Sequence, residues 1–223
     1  MKILAILGSP RGDKSNTAML LDAAIASARN AGAEVTRLSL ATMKVQPCCG
    51  CERCHEIGAC GIRDDFAAVR TALDEANGII LASPNYMRGV TAQLKALMDR
   101  CSAAVHCQTM TAKYAAAIVT SGGPQSKEVE DFILNFAQAV GCWTVGSASA
   151  AAYELHDGAQ RPARLQAAAD LGKRLVECVA NRTIFPEQAA GRRAFAQRMR
   201  ELVTSRREDW AYEYKYWQAM GPA

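Results

Sequence analysis

The chain has 223 residues, half of them hydrophobic, and a formal net charge of +4 from 26 basic and 22 acidic side chains. That length suits one domain of ~150–200 residues with an extension, and so mild a charge gives no ground for a nucleic-acid or anionic-membrane partner. No apolar run approaches the ~20 residues of a membrane helix.

Residues 1–7 are apolar, but Gly8 and charged residues follow too soon for a signal peptide. The stretch is expected to be the buried first strand of a cytoplasmic protein. Helical spacing of apolar residues then covers 17–31, and 34–40 reads as a second strand. A Cys- and Gly-rich loop occupies 46–63. Beyond it come a helix over 66–76, a strand over 78–82, a helix over 91–102 and a strand over 114–120. A helix over 127–140, a strand over 142–147 and a helix over 164–181 complete the pattern. Alternation of this kind predicts an α/β fold: a five-stranded parallel sheet with helices on both faces and right-handed crossovers. The expected flavodoxin-like strand order is 2-1-3-4-5, with a ligand crevice between strands one and three. Residues 1–181 are expected to form this domain and 182–223 a C-terminal helical extension, with one long polar helix over 192–218.

The first strand runs into Gly8-Ser9-Pro10-Arg11-Gly12-Asp13-Lys14-Ser15-Asn16-Thr17 and then a helix. Unpaired N–H groups at a helix N-terminus attract phosphate. Ser9, Ser15, Asn16 and Thr17 add short donors, and Arg11 adds charge. The loop is neither a Walker A sequence nor a Gly-x-Gly-x-x-Gly fingerprint, so a terminal monophosphate suits it better than a pyrophosphate. An ordinary helix cap is the plainer reading of the same residues. Two further loops share this sheet edge: Ser83-Pro84-Asn85-Tyr86-Met87-Arg88-Gly89 and Thr120-Ser121-Gly122-Gly123-Pro124. A flat cofactor there would be flanked by Asn85, Tyr86 and Met87, and would be approached by the backbone at Gly122 and Gly123.

These loops, together with Leu94-Lys95-x-x-x-Asp99-Arg100, resemble the NADPH-dependent FMN reductase family of flavodoxin-like proteins over about residues 1–150. The resemblance implies non-covalent FMN. Its phosphate would meet Ser9, Arg11, Ser15, Asn16 and Thr17, and its ring would lie against Pro84, Asn85, Tyr86, Met87, Ser121, Gly122 and Gly123. It also implies that Lys95, Asp99 and Arg100 hold their helix and a subunit contact.

Of the nine cysteines, five lie between Cys48 and Cys60, and Cys48, Cys51, Cys54 and Cys60 form C-x2-C-x2-C-x5-C. Compact runs of this type bind iron–sulfur clusters, whereas zinc ribbons separate their two knuckles. The spacing resembles the iron–sulfur flavoproteins, which implies that these four hold a [4Fe-4S] cluster with Cys49 left over. The loop and the Asp64-Asp65 that follows it also resemble FMN reductases without a cluster, so a loop of free or redox-active thiols stays open. His55 would permit a mixed site.

Cys142 and Cys178 read as core residues, and Cys101, His106 and Cys107 as packing or loop residues. His156 and Asp157 are expected in a loop after strand five. Trp210, Tyr214 and Trp217 recur at helical spacing and predict one buried face, packed either on the body or on another subunit; such an arm suits a homodimer or homotetramer. The function expected is an FMN-dependent NAD(P)H oxidoreductase with a small-molecule acceptor such as a quinone or flavin, and with no catalytic side chain because the cofactor does the chemistry. The alternative is an electron carrier that links ferredoxin-like proteins through the cluster and FMN. A zinc-bound interaction module is a third reading.

Overall fold

In the computed structural model, residues 1–221 are described. The last two positions of the expected extension lie outside them. Five strands, β1 (Lys2–Leu7), β2 (Glu34–Ser39), β3 (Gly78–Pro84), β4 (Tyr114–Ser121) and β5 (Trp143–Ala151), form one sheet in the order β2-β1-β3-β4-β5. Every pairing is parallel. The inner strands β1, β3 and β4 are buried almost throughout, as a strand covered on both faces must be.

The helices segregate by face. On one side α1 (Asn16–Asn30) and α8 (Arg161–Asn181) bury Leu20, Leu21, Leu171 and Leu175 against Ile3, Ile80 and Ile118. On the other, α3 (Phe66–Glu75), α4 (Ala92–Asp99) and α6 (Lys127–Ala139) bury Val69, Leu97 and Ile133 against Leu4, Ile79 and Val119. Cys101, Cys107, Cys142 and Cys178 are buried. Desolvation pushes the thiols of Cys101, Cys107 and Cys142 up to about 12.

Several expected boundaries move. The cysteine loop carries a short helix, α2 (Arg53–Ile57), bounded by left-handed residues at Glu52 and Gly58. The helix expected over 91–102 starts after its cap at Thr91 and stops at Asp99, and α5 (Ser102–Cys107) follows as a separate turn of helix. His156 ends another short helix, α7 (Ala152–His156), and does not lie in a loop directly after the sheet.

The extension is two helices, α9 (Pro186–Ser205) and α10 (Ala211–Ala219). The chain breaks at Arg206–Arg207–Glu208–Asp209, which offers no apolar side chain to the body, and the following Trp210 is buried. α10 lies on α2 and α5. α10 thus packs one face on the body, while much of α9 stays exposed. No helix among the described residues is long and apolar enough to cross a membrane.

Candidate functional site

Three loops at the carboxyl edge of the sheet enclose a cleft of about 190 Å³ lined by Ser9, Arg11, Ser15, Asn16, Thr17, Pro84, Asn85, Tyr86, Thr120, Ser121, Gly122 and Ala152. Ten of these twelve are residues expected from the sequence. Thr120 and Ala152 are additions, and Met87 and Gly123 do not line the cleft. Met87 and Arg88 both have positive φ, 51° and 63°. They form the tip of a tight turn closed by reciprocal Tyr86–Gly89 backbone bonds of 2.9 and 3.0 Å, and this turn leaves Met87 98% exposed.

Hydrogen bonds fix the first loop. Ser15 caps α1: its hydroxyl accepts from the Ala18 N–H at 3.1 Å and donates to the Gly12 carbonyl at 2.7 Å. The Thr17 hydroxyl is bonded to that of Thr120 at 2.6 Å, across the cleft floor. One of the two hydroxyls donates this bond, and the other keeps its own proton. The Ser9 hydroxyl accepts from the Arg11 N–H at 3.3 Å and keeps its own proton free to donate. Thr91, which sequence reasoning passed over, ties two loops together: its hydroxyl donates to the Gly8 carbonyl at 2.6 Å, and its N–H donates to Ser83 Oγ at 3.1 Å. Asn85 donates its side-chain amide to the Gln125 carbonyl at 2.5 Å, which joins the second loop to the third. A Cβ added at Gly122 or Gly123 would meet nothing within 4 Å, so the third loop leaves open space above the cleft.

A second cavity, of about 440 Å³, is walled by Cys48, Cys49, Cys51, Cys54 and Cys60 together with Glu52, His55, Asp99 and Arg100. All four cysteines of the C-x2-C-x2-C-x5-C motif open on it. Their sulfurs are not gathered at a point, for among the described residues no three cysteine sulfurs lie within 4.8 Å of one another. A single tetrahedral zinc with bonds of about 2.3 Å would draw its sulfurs closer than that. Four thiols from one compact run that open on one cavity are a donor set of the kind that bears a multi-iron cluster. The electrostatics agree. The backbone N–H of Arg53, joined by Cys49, lowers the Cys51 thiol from its ordinary value. The Gly50 N–H points to Cys48 Sγ at 3.4 Å, and the Arg100 guanidinium to Cys60 Sγ at 3.2 Å. Arg100 does not serve only its own helix; it anchors the cysteine loop, binding Asp64 at 2.9 and 3.1 Å and the Gln46 carbonyl at 3.0 Å. Lys95 and Asp99 pair with each other at 2.6 Å.

Behind Cys54, His55 and His106 flank a fully buried Glu213. Burial disfavours the charged imidazole of His55, but hydrogen bonds to Cys54 and Glu213 outweigh this and raise it to about 10. Burial likewise opposes the Glu213 carboxylate, and the two histidines override it and hold its pKa below the ordinary value.

Residues 1–156 match the model of the NADPH-dependent FMN reductase family. The chain belongs to that family. An iron–sulfur flavoprotein of Archaeoglobus fulgidus is 34% identical over 178 residues, spanning 79% of this chain and 80% of that protein. One from Methanocaldococcus jannaschii is 46% identical over 100 residues, 45% of this chain and 51% of that protein, so the match spans about half of that relative. Among solved structures, a flavone reductase superposes with a TM-score of 0.66 at 16% identity, over 81% of this chain and 63% of that one; this likeness concerns the fold alone. The family is one of oxidoreductases, and its match ends before α8, so the extension lies outside it.

Proposed function

We propose that this chain is an electron-transferring flavoprotein that binds FMN in the cleft between β1 and β3 and a [4Fe-4S] cluster on Cys48, Cys51, Cys54 and Cys60. FMN supplies both one- and two-electron chemistry, and a cluster exchanges single electrons. The observation that carries the reading is the convergence of all four motif cysteines on one cavity. Ser9, Arg11, Asn16 and the first N–H groups of α1 would receive the phosphate, while Ser15 and Thr17 hold the loop in shape. Pro84, Asn85, Tyr86, Ser121 and Gly122 would flank the ring. The likeness to proteins named iron–sulfur flavoproteins supports the same reading.

The match to the NADPH-dependent FMN reductase family favours a second reading, an NAD(P)H oxidoreductase that passes electrons from FMN to a quinone or flavin. Anaerobic stopped-flow reduction of the purified holoprotein separates the two. The first reading expects a reduced ferredoxin-like donor to reduce the flavin at least about tenfold faster than NADPH, and Cys54→Ala to remove that advantage. Equal rates in wild type and Cys54→Ala with NADPH as the faster donor would establish the second.

A further inference from the structure

α2 has five residues and is flanked by left-handed backbone at Glu52 (φ 58°) and Gly58 (φ 76°). So short a helix does not hold itself together in water, and its position is set by what packs on it. What packs on it is the extension. Glu213 of α10 accepts from His55 Nδ1 at 2.5 Å on one carboxylate oxygen and from His106 Nδ1 at 3.0 Å on the other. The Trp210 ring lies 4.7 Å from both imidazoles, stacked on His106 at 21° and tilted to His55 at 37°, and its Nε1 donates to Glu52 at 3.1 Å. Trp217 Nε1 donates to the His106 carbonyl at 3.1 Å, and Tyr212 fills the space in front of Gly58.

Two histidines and a glutamate invite a metal reading. The geometry argues against it. Each imidazole nitrogen already has its own carboxylate oxygen at hydrogen-bond distance, 2.5 and 3.0 Å, whereas a nitrogen and an oxygen sharing a tetrahedral zinc with bonds of about 2.0–2.1 Å would stand farther apart. This is a hydrogen-bonded clasp. It grips the residue next to Cys54 from outside the region matched by the family.

We propose that Glu213 is a positioning residue for the cysteine site: through His55 it fixes α2, and thereby Cys54, in the geometry that completes the cluster ligand set. The proposal rests on the reading of the four cysteines as cluster ligands. Loss of the carboxylate leaves the imidazoles of buried His55 and half-buried His106 without that acceptor and frees α2 to open.

The test compares full-length, FMN-bound wild type with Glu213→Ala and Glu213→Gln. Iron per chain is measured after anaerobic reconstitution. In iron-free samples, the iodoacetamide alkylation rate of Cys54 is followed by peptide mass spectrometry, with buried Cys142 as the internal unfolding control. For Glu213→Ala the proposal expects Cys54 to react about tenfold faster while Cys142 stays protected and FMN stays bound, and the cluster to be lost on reconstitution. Glu213→Gln keeps one acceptor oxygen and should fall between, with Cys54 about threefold faster and part of the iron restored. If Cys142 also reacts in Glu213→Ala, Glu213→Gln alone decides. A Cys54 rate equal to wild type, with full iron, in the variant that keeps its fold overturns the proposal. Wild type without iron would refute the cluster reading, and with it the role of Glu213 as a cluster-positioning residue, whereas normal iron in wild type with unchanged Cys54 reactivity in the variants would refute the clasp alone.

Discussion

The Arg100 guanidinium lies 3.2 Å from the sulfur of Cys60 while it grips Asp64 at 2.9 and 3.1 Å and stacks on the Phe66 ring at 4.4 Å. The side chains of Arg100 and Asp64 are 0% and 3% exposed. One buried cation therefore fastens both ends of the cysteine loop to α3 and α4, and sets a positive charge beside one of the thiols. Arg100→Met leaves a buried carboxylate unpaired, which costs about 3–5 kcal/mol. Urea unfolding should show a loss of that size; a loss under ~1 kcal/mol would mean that the loop is held by other contacts.

The same pair sets an acid limit. Burial opposes ionisation of Asp64, and the Arg100 hydrogen bonds with the Gln46 and Phe66 N–H groups override this, holding the carboxyl below its ordinary value of 3.8. Glu213 is depressed below 4.5 by its two histidines. For a depressed carboxylate the stabilisation is present above the unfolded-state value and is lost as pH falls through the folded-state value. Thermal melts should therefore be level in this respect at neutral pH and fall on acidification below these ordinary values. Glu213→Gln should remove its share of the acid dependence. An unchanged slope in that variant would contradict the assignment.

Among the described residues, Arg11 is the one charged side chain in the lining of the β1–β3 cleft. A charge-assisted hydrogen bond to phosphate contributes about 1.5–3 kcal/mol, so Arg11→Ala should weaken FMN binding by roughly 10- to 100-fold. The photoreduction rate of the flavin that remains bound should not change, since Arg11 addresses the phosphate and not the ring. Fluorescence titration of FMN checks the first point; equal affinity in the variant would move the phosphate elsewhere.

Gly8 sits where the first loop passes β3. A Cβ there would lie 2.9 Å from Leu94 Cβ and 3.0 Å from the Ala82 carbonyl oxygen. The second neighbour is backbone and cannot step aside, so Gly8→Ala should cost about 1–3 kcal/mol and weaken FMN binding, because the displaced residue leads into Ser9. Differential scanning calorimetry with and without FMN measures both effects. A melting temperature and ligand shift equal to wild type would show that the loop has slack.

The sheet was legible because its signal is local. Runs such as Ile3–Leu4–Ala5–Ile6–Leu7 and Ile79–Ile80–Leu81 are apolar on both faces, and only interior parallel strands need that pattern. The cleft was legible for the same reason: each loop lies directly beyond a strand end. What escaped depends on contacts distant in sequence. Nothing near Glu213 marks it as the partner of His55, 158 positions away, and helical spacing alone does not reveal that the chain breaks before Trp210. α2 is too short for periodicity to register. Met87 was placed on the correct loop, but two successive positive φ angles turn it out of the cleft.

On the proposed reading, one chain carries both a flavin and a cluster. Anaerobic purification followed by a visible spectrum, with iron, acid-labile sulfide and FMN assays, tests it most directly. The expected result is flavin bands over a broad shoulder at about 400 nm, with about four irons and four sulfides per chain, and loss of the iron but not the FMN in Cys51→Ala. Flavin alone, with negligible iron under strict anaerobiosis, would contradict it and leave the cysteine cavity a pocket of free thiols.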